Sequence, residues 1–472
     1  MGGKGGCAAF PHRQKGGGRV NNKRTALVRG SKLLHFMLTV GLFAYTWFRF
    51  LSDYNIVIAR RYQIWACLLY GLLLYFFCRT YNAYLIEYSR ITDIVFSLCL
   101  STSVSLVLMY VGIMVAWQKY YPPRYFILLL LLQLLVNLGW AVASNKSYYA
   151  HHQPAKTLLV YRNQEDLMRL NEVKRFPKKY KVVRVLEDPK TYKEVVKAMS
   201  GCDTVFMAGV NANLRNGVAK HCMENGIHSF FLPHVGDIIL MSGTHVPAFS
   251  IPIVSLQNTR NRLEYLWLKR GMDVLLSAAA IAVFSPLMLL IAVAIKLDDG
   301  GPVFYRQERL TKGGKVFRIC KFRSMRPDAE KDGVPRLSTG EKDERITRVG
   351  NILRVCRLDE LPQLFNIFKG DMTIVGPRPE RPEIAAQYTK SMPAFKLRLK
   401  VKAGLTGYAQ VYGRYNTDPY DKLEMDLIYI NKMNPLMDLQ LMIATVRILF
   451  VKESTSGVEE GNTTALQELQ KK

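Results

Sequence analysis

No two of the eight cysteines, at positions 7, 67, 78, 99, 202, 222, 320 and 356, form a C-x-x-C pair. That argues against a zinc site or a disulfide framework and suits a reducing compartment. Acids are also scarce: Asp and Glu total 37 against 65 Lys and Arg, a formal charge of +28. So large a basic excess calls for an anionic partner, whether nucleic acid, an anionic membrane surface or phosphorylated substrates. The first 32 residues hold eight Lys/Arg, many glycines and no acid. A short apolar core with a small-residue cleavage site does not follow them, so a cleaved signal peptide is not expected. Met1-Gly2 begins as an acylation signal does, but Gly6 stands where Ser or Thr is needed. Residues 1–32 therefore read as a basic, disordered tail near anionic lipid.

Long apolar runs are plentiful. Four of them, at roughly 33–52, 63–78, 93–117 and 125–144, predict a four-helix transmembrane domain over 33–145. His35 and Arg49 fall near the ends of the first run, where snorkelling is tolerated. The basic tail holds the N-terminus in the cytoplasm, and an even number of spans returns everything after Lys146 to that face.

Residues 155–255 read as a soluble α/β unit. Strand-like Thr157–Tyr161, Lys181–Leu186, Asp203–Ala208 and Ser229–Leu232 alternate with helical stretches, which predicts a Rossmann-like parallel sheet. The turn after the first strand is Arg162-Asn163-Gln164 rather than a Gly-rich phosphate cradle, so a dinucleotide is not expected there. A regulatory or scaffolding role fits better. A fifth apolar segment, Met272–Ile295, is interrupted by Ser285-Pro286 and flanked by Lys269, Arg270 and Lys296. Proline bends a helix, and the cations resist translocation. A re-entrant helix over 272–295, broken at Ser285-Pro286, satisfies both observations.

Beyond it lie short motifs dense in charge, Gly and Pro. These are Lys321 to Met325 (KFRSM), Arg354 to Glu360 (RVCRLDE), Gly376-Pro377-Arg378-Pro379, and Gly404 to Gln410 (GLTGYAQ). Asp359 and Glu360 open a predicted helix with apolar Leu361, Leu364, Phe365 and Phe368, and Gly370 ends it. Asp359 is then either a plain N-cap or a catalytic group at a phosphate-receptive helix start. Of two adjacent carboxylates, one can attack phosphorus and the other hold Mg²⁺. Arg378, stiffened between prolines, suits either a surface turn or a diphosphate. Gly404 and Gly407 would let backbone approach a ligand closely.

These residues resemble the bacterial sugar transferase family, the monotopic polyprenyl-phosphate glycosyl-1-phosphate transferases, from about Leu268 to Phe450. Lys269-Arg270-x-x-Asp273 is similar to the start of the family's membrane helix, and Ser285-Pro286 to its helix-breaking pair. LDELPQLFN around Asp359-Glu360 is similar to the catalytic dyad, and GDMTIVGPRP (Gly370 to Pro379) to its companion motif. The resemblance implies that Asp359 is the nucleophile and Glu360 a Mg²⁺ ligand. Arg354, Arg378 and Arg414 would contact phosphate or nucleotide, and Lys321, Arg323, Gly404, Gly407 and Gln410 complete the candidate substrate-binding set. Lys402-Ala403 and Tyr408 depart from the usual pattern of a basic residue then Pro, and of Trp.

The implied architecture is an α-helical membrane protein plus α/β. It comprises four spans, a Rossmann-like cytoplasmic domain, a mostly α-helical catalytic domain over 262–452, and a polar tail, 453–472. The long members with this layout start exopolysaccharide, capsule or O-antigen synthesis. They pass a sugar-1-phosphate, glucose or galactose first, from a UDP-sugar to undecaprenyl phosphate. That places the chain in a bacterial inner membrane, with the bilayer, UDP-sugar and undecaprenyl phosphate as partners and no nucleic acid; a homodimer through the spans is open. The rival from another class is a channel or transporter with a Rossmann-like sensor. A sensor, however, has no need of the Asp-Glu and Pro-Arg-Pro set.

Overall fold

The computed structural model describes residues 17–51, 60–86, 89–118, 120, 122–151, 153–248, 251–256, 263–326, 345–413 and 418–448. The chain divides into two compact units, Met1–Leu232 and Pro233–Lys472.

The first unit opens with α1 (Gly17–Thr46), continued by a π-helical turn to Leu51. Then come α2 (Arg60–Thr80), α3 (Ile91–Trp117) and α4 (Arg124–His151). All four are long and apolar enough to cross a membrane. Helix already begins at Gly17, so the second half of the expected disordered tail is helical. Extending an established helix outward costs little per residue, and no proline interrupts the run. Leu34, Leu72, Leu128 and Leu135 stay exposed, as lipid-facing side chains do. His35 does not snorkel. It is buried in the bundle, bonded to Tyr84 at 2.9 Å and Asn137 at 3.0 Å, and Asn137 donates to Thr102. Gln133 accepts from Tyr70 and donates to the Thr39 carbonyl. Among lipid tails a bonded polar seam of this kind fixes which helix faces meet.

The same unit carries a sheet of four parallel strands, β1 (Ala155–Tyr161), β2 (Tyr180–Glu187), β3 (Thr204–Met207) and β4 (His228–Phe231), in the order β2-β1-β3-β4. Its helices are α5 (Gln164–Lys174), α6 (Tyr192–Met199) and α7 (Ala212–Asn225). Strand β1 is buried from Thr157 onward, the continuous apolar run expected of a central parallel strand.

The second unit starts before the sequence-based boundary at 262. Helix α8 (Val235–Met241) buries Ile238 in one core with Leu423, Leu427 and Ile430, and the hairpin of β5 (Thr244–Ala248) and β6 (Ile251–Ser255) follows. A soluble-side truncation should therefore begin at Pro233. One beginning near Arg260 discards Ile238 and opens a cavity, and losing a buried Ile typically costs about 2–5 kcal/mol. Thermal unfolding of the two truncations in lipid checks this: equal midpoints would mean that α8 adds nothing to the core.

Helix α9 (Leu263–Asp299) runs through Pro286 without interruption, contrary to a helix broken at Ser285-Pro286. Pro286 has no N–H for the Ala282 carbonyl, and the Ser285 hydroxyl donates to that oxygen instead, at 2.9 Å. The orphaned acceptor is satisfied and the helix continues. At about 1.5 Å per residue, α9 is longer than the ~30 Å hydrocarbon core of a bilayer. One face packs on the unit: Ala280 and Ile281 against the core of Leu364 and Ile367, and Met288, Ile291 and Ile295 with Phe322 and Leu353. Leu275, Val283, Leu289, Leu290 and Leu297 remain exposed.

Around α9 are the antiparallel β7 (Phe304–Leu310) and β8 (Val316–Phe322), α10 (Arg348–Val355), α11 (Gln363–Lys369), β9 (Thr373–Val375) and α12 (Pro382–Ser391). A 3₁₀ segment, Pro393–Lys400, leads to β10 (Gly404–Thr406), which is parallel to β9. Helices α13 (Tyr408–Tyr412), α14 (Pro419–Lys432) and α15 (Pro435–Ile448) complete the unit. The expected polar tail, 453–472, lies outside the described residues.

Candidate active site

Asp359 and Glu360 occupy a single 3₁₀ turn, Leu358–Glu360, one turn ahead of α11 rather than at its first residues. Arg357 enters that turn at φ 55°, a left-handed conformation costly for a side chain of its size. Helix α11 is then fastened from both sides. Asn366 accepts from the Cys320 N–H and donates to the Arg318 carbonyl, tying it to β8, while Arg270 of α9 donates to the Ile367 and Phe368 carbonyls. Three residues on from Arg270, Asp273 accepts from the Ile374 N–H of β9. The first turns of α9 thus grip both the acid-bearing segment and the strand leading to Arg378. Lys269 beside them pairs with Asp438 at 2.7 Å.

This frame brings Lys321, Arg378 and Glu360 together. Lys321 Nζ lies 2.9 Å and Arg378 Nη2 3.0 Å from the same oxygen, Glu360 Oε1. Burial opposes ionisation of Glu360, but Lys321 and Arg378, with Arg357, hold its carboxyl well below the usual carboxylate range. Asp359 goes the other way: burial and the neighbouring Glu360 charge push its carboxyl up, against the pull of Lys321, Arg354 and Arg378. Among the described residues Asp359 makes no hydrogen bond or ion pair. One carboxylate is clamped and its neighbour is uncommitted.

Arg378 owes its position to its own backbone. Four consecutive carbonyls are each bonded: Pro377 by the Gly404 N–H, Arg378 by Arg398 Nη2, Pro379 by Arg309 Nη1 and Glu380 by the Leu310 N–H. Sequence reasoning passed over Arg309 and Arg398, because nothing in their spacing distinguishes them from surface arginines. Asn366 was likewise hidden inside an apolar helix pattern.

Other expected site residues fall elsewhere. Arg323 is buried and pairs with Asp299 at the end of α9, also donating to the Pro302 carbonyl, so it anchors that end of α9 and does not join the group around Glu360. Gly404 and Gly407 approach the Gly376 backbone: a Cβ on Gly404 would stand 2.1 Å from Gly376 N, and one on Gly407 2.1 Å from Gly376 O. Their smallness lets these chain segments pack closely at the site. Gln410 leans over Gly407, and both its amide atoms are buried with no hydrogen-bond partner among the described residues. Arg354 Nη1 is in the same condition. Arg414 lies outside the described residues.

Residues 264–452, which include all of these side chains, match the bacterial sugar transferase family. An exopolysaccharide production protein, PSS, of Rhizobium leguminosarum bv. phaseoli is 39% identical over 201 residues, 98% of its length and 41% of this chain. The chain belongs to the bacterial sugar transferase family. Family relatives with named activities include a UDP-N-acetylgalactosamine-undecaprenyl-phosphate N-acetylgalactosaminephosphotransferase of Aeromonas hydrophila, 44% identical over 39% of this chain and 44% of its own. The UDP-glucose:undecaprenyl-phosphate glucose-1-phosphate transferase of Escherichia coli K12 is 36% identical over 57% of this chain and 58% of its own. The chain spans about half the length of these two relatives.

A divalent cation finds suitable donors here. Glu360 uses only Oε1 for its two cationic partners, and the Asp359 oxygens are uncommitted. Mg²⁺ typically takes one or two carboxylates and fills its shell with phosphate and water. No cluster of three or more His, Cys, Asp or Glu exists among the described residues to form a closed cage.

Proposed function

We propose that this membrane-associated chain transfers a sugar-1-phosphate from a UDP-sugar to undecaprenyl phosphate, the first membrane step in building an exopolysaccharide, capsule or O-antigen. The observation that carries the reading is the pairing of a clamped, ionised Glu360 with an adjacent, uncommitted Asp359. An Asp359 oxygen bonds to the sugar-bearing phosphorus, and the bond from that phosphorus to the oxygen of the UMP phosphate breaks. UMP leaves. An oxygen of undecaprenyl phosphate then attacks the same phosphorus, the aspartyl bond breaks, and undecaprenyl-diphosphate-sugar results. Lys321 and Arg378 offset charge on the phosphoryl oxygens, while Arg354 and Gln410 have unused donors to offer the diphosphate or nucleotide. When bound at Glu360, Mg²⁺ would neutralise diphosphate charge.

Membranes holding the chain, incubated with Mg²⁺, undecaprenyl phosphate and a panel of UDP-sugars, should release UMP with at least one donor. Glucose, galactose and N-acetylgalactosamine are the first to try. UMP release from none of the panel would overturn the reading.

The raised Asp359 carboxyl sets a pH dependence. An attacking carboxylate must be ionised, so activity should fall on the acid side with a midpoint above the usual Asp value of about 3.9. Lys321 lowers that midpoint, so Lys321→Met should move it upward as well as slowing turnover. A profile flat down to about pH 4 would contradict an ionised Asp359 as the attacking group.

We further place both ends of α9 on the cytoplasmic face of the inner membrane, the helix staying continuous but bending at Pro286. Support comes from its two ends, since Lys269, Arg270 and Asp273 at one and Asp298 and Asp299 at the other all bond to the same polar unit. Cysteines introduced near residues 268 and 300 should both be shielded from an impermeant reagent in intact cells. Labelling of either one from outside would mean a true crossing.

A further inference from the structure

We propose that Arg398 is a positioning residue for transfer: it acts through the backbone of Arg378 to aim that guanidinium at Glu360. The inference rests on the transferase reading above and deepens it.

Arg398 lies in the 3₁₀ segment before β10, and only 6% of its side chain is exposed. Three of its nitrogens have separate duties. Nε donates to Asp426 Oδ2 at 2.6 Å, Nη1 faces Glu380 Oε1 at 3.6 Å, and Nη2 donates to the Arg378 carbonyl at 3.1 Å. Its guanidinium also lies over the Phe395 ring, with Cζ 4.7 Å from the centroid. A buried charge held by two carboxylates and a ring cannot swing away, so the carbonyl it holds cannot rotate either.

That fixed carbonyl decides where the Arg378 side chain goes. With its carbonyl turned inward to Arg398 and a proline on each side, the residue sends its guanidinium outward, to Glu360 at 3.0 Å. Asp426 is almost completely buried and lies on α14, far in sequence from the acid pair. A core of charge is an expensive way to hold a loop if packing alone would do, since desolvating both partners offsets much of their attraction. Lysine could keep the pair with Asp426, but it has no planar fork and cannot also reach the carbonyl.

The test is a double-mutant cycle in the full chain, in lipid, read as UMP release. Arg398→Lys should lower kcat about tenfold or more, the scale on which a misplaced positioning contact acts, and change KM for the UDP-sugar less. In an Arg378→Ala background the same substitution should cost less than about twofold, because the residue it positions is gone. Equal losses in both backgrounds would mean a merely structural role, and wild-type turnover in Arg398→Lys would mean none; either result overturns the proposal. If Arg398→Lys fails to fold, Glu380→Gln carries the cycle with the same expected pattern and a smaller loss. Hydrogen exchange separates this inference from the transferase reading. Peptides covering 376–381 should exchange faster in the lysine variant while α14 keeps its protection, whether or not wild type releases UMP. Unchanged exchange over 376–381 would sink the positioning role even in an active enzyme.

Discussion

Asp359→Asn should abolish UMP release, by roughly 10⁴–10⁶-fold, the scale seen when a covalent nucleophile is removed. The chain should stay folded and membrane-bound. Asp359 has no hydrogen-bond or ion-pair partner among the described residues, so the isosteric amide breaks no contact. Burial also disfavours the Asp359 charge in the folded state, so a neutral group there leaves the melting temperature unchanged or slightly raised. Glu360→Gln should behave differently. The folded state holds Glu360 ionised below its ordinary range, so its carboxylate stabilises the fold above the unfolded pKa of about 4.3, and that stability is lost as pH falls through the lower folded value. Removing the charge takes the shared carboxylate from Lys321 and Arg378, so at neutral pH this variant should lose both activity and stability. Parallel melting curves and UMP assays distinguish the two. Asp359→Asn with activity within a few-fold of wild type would remove Asp359 as nucleophile and leave a one-step route, in which undecaprenyl phosphate itself attacks the sugar-bearing phosphorus and displaces UMP.

Gly404→Ala should destabilise the second unit by about 3 kcal/mol or more, at the severe end for overpacking. The added Cβ would stand 2.1 Å from Gly376 N and 2.5 Å from Thr406 O, both backbone atoms that no side-chain rotation can move. Strands β9 and β10 would have to part, and the Gly404 N–H that holds the Pro377 carbonyl would go with them. For a unit of this size about 3 kcal/mol corresponds to a melting shift of roughly 6–12 °C. Gly271→Ala is the control: a Cβ there meets nothing within 4 Å, and Ala suits a helix better than Gly. A Gly404→Ala chain that melts and turns over like wild type would refute the close packing of these glycines.

Much of this was legible in the sequence because it rests on local pattern. The four strands of the first unit were readable from period and turn chemistry, and the acid pair from its place before an apolar helix ended by glycine. What escaped depends on contacts between distant residues. Arg323 stands two positions from Lys321 and shares its charge, yet one faces Glu360 and the other Asp299, because alternate residues diverge as β8 gives way to the following loop. Gly404 and Gly407 carried the right residue type for a close approach, but the sequence could not say that the thing approached is Gly376. Ile238 belongs to a core whose other buried members, Val375 to Leu441, all come more than a hundred residues later. His35 looked like an interfacial side chain only because Asn137 and Tyr84 could not be placed beside it.

The bonded carbonyls around Arg378 also fix the order in which the proposed site can assemble during synthesis. A nascent chain that has just exposed Arg378 already owns both acids and Lys321. It lacks Arg398 and Gly404, which hold the Arg378 and Pro377 carbonyls, and Asp426, which holds Arg398. Domains fold as units as they emerge, and closing this one waits for α14. Until the ribosome has released that helix, the growing chain carries both acids and Lys321 but holds Arg378 on an unfixed backbone. On the transferase reading, chemistry at the membrane surface is thereby withheld until α14 is in place.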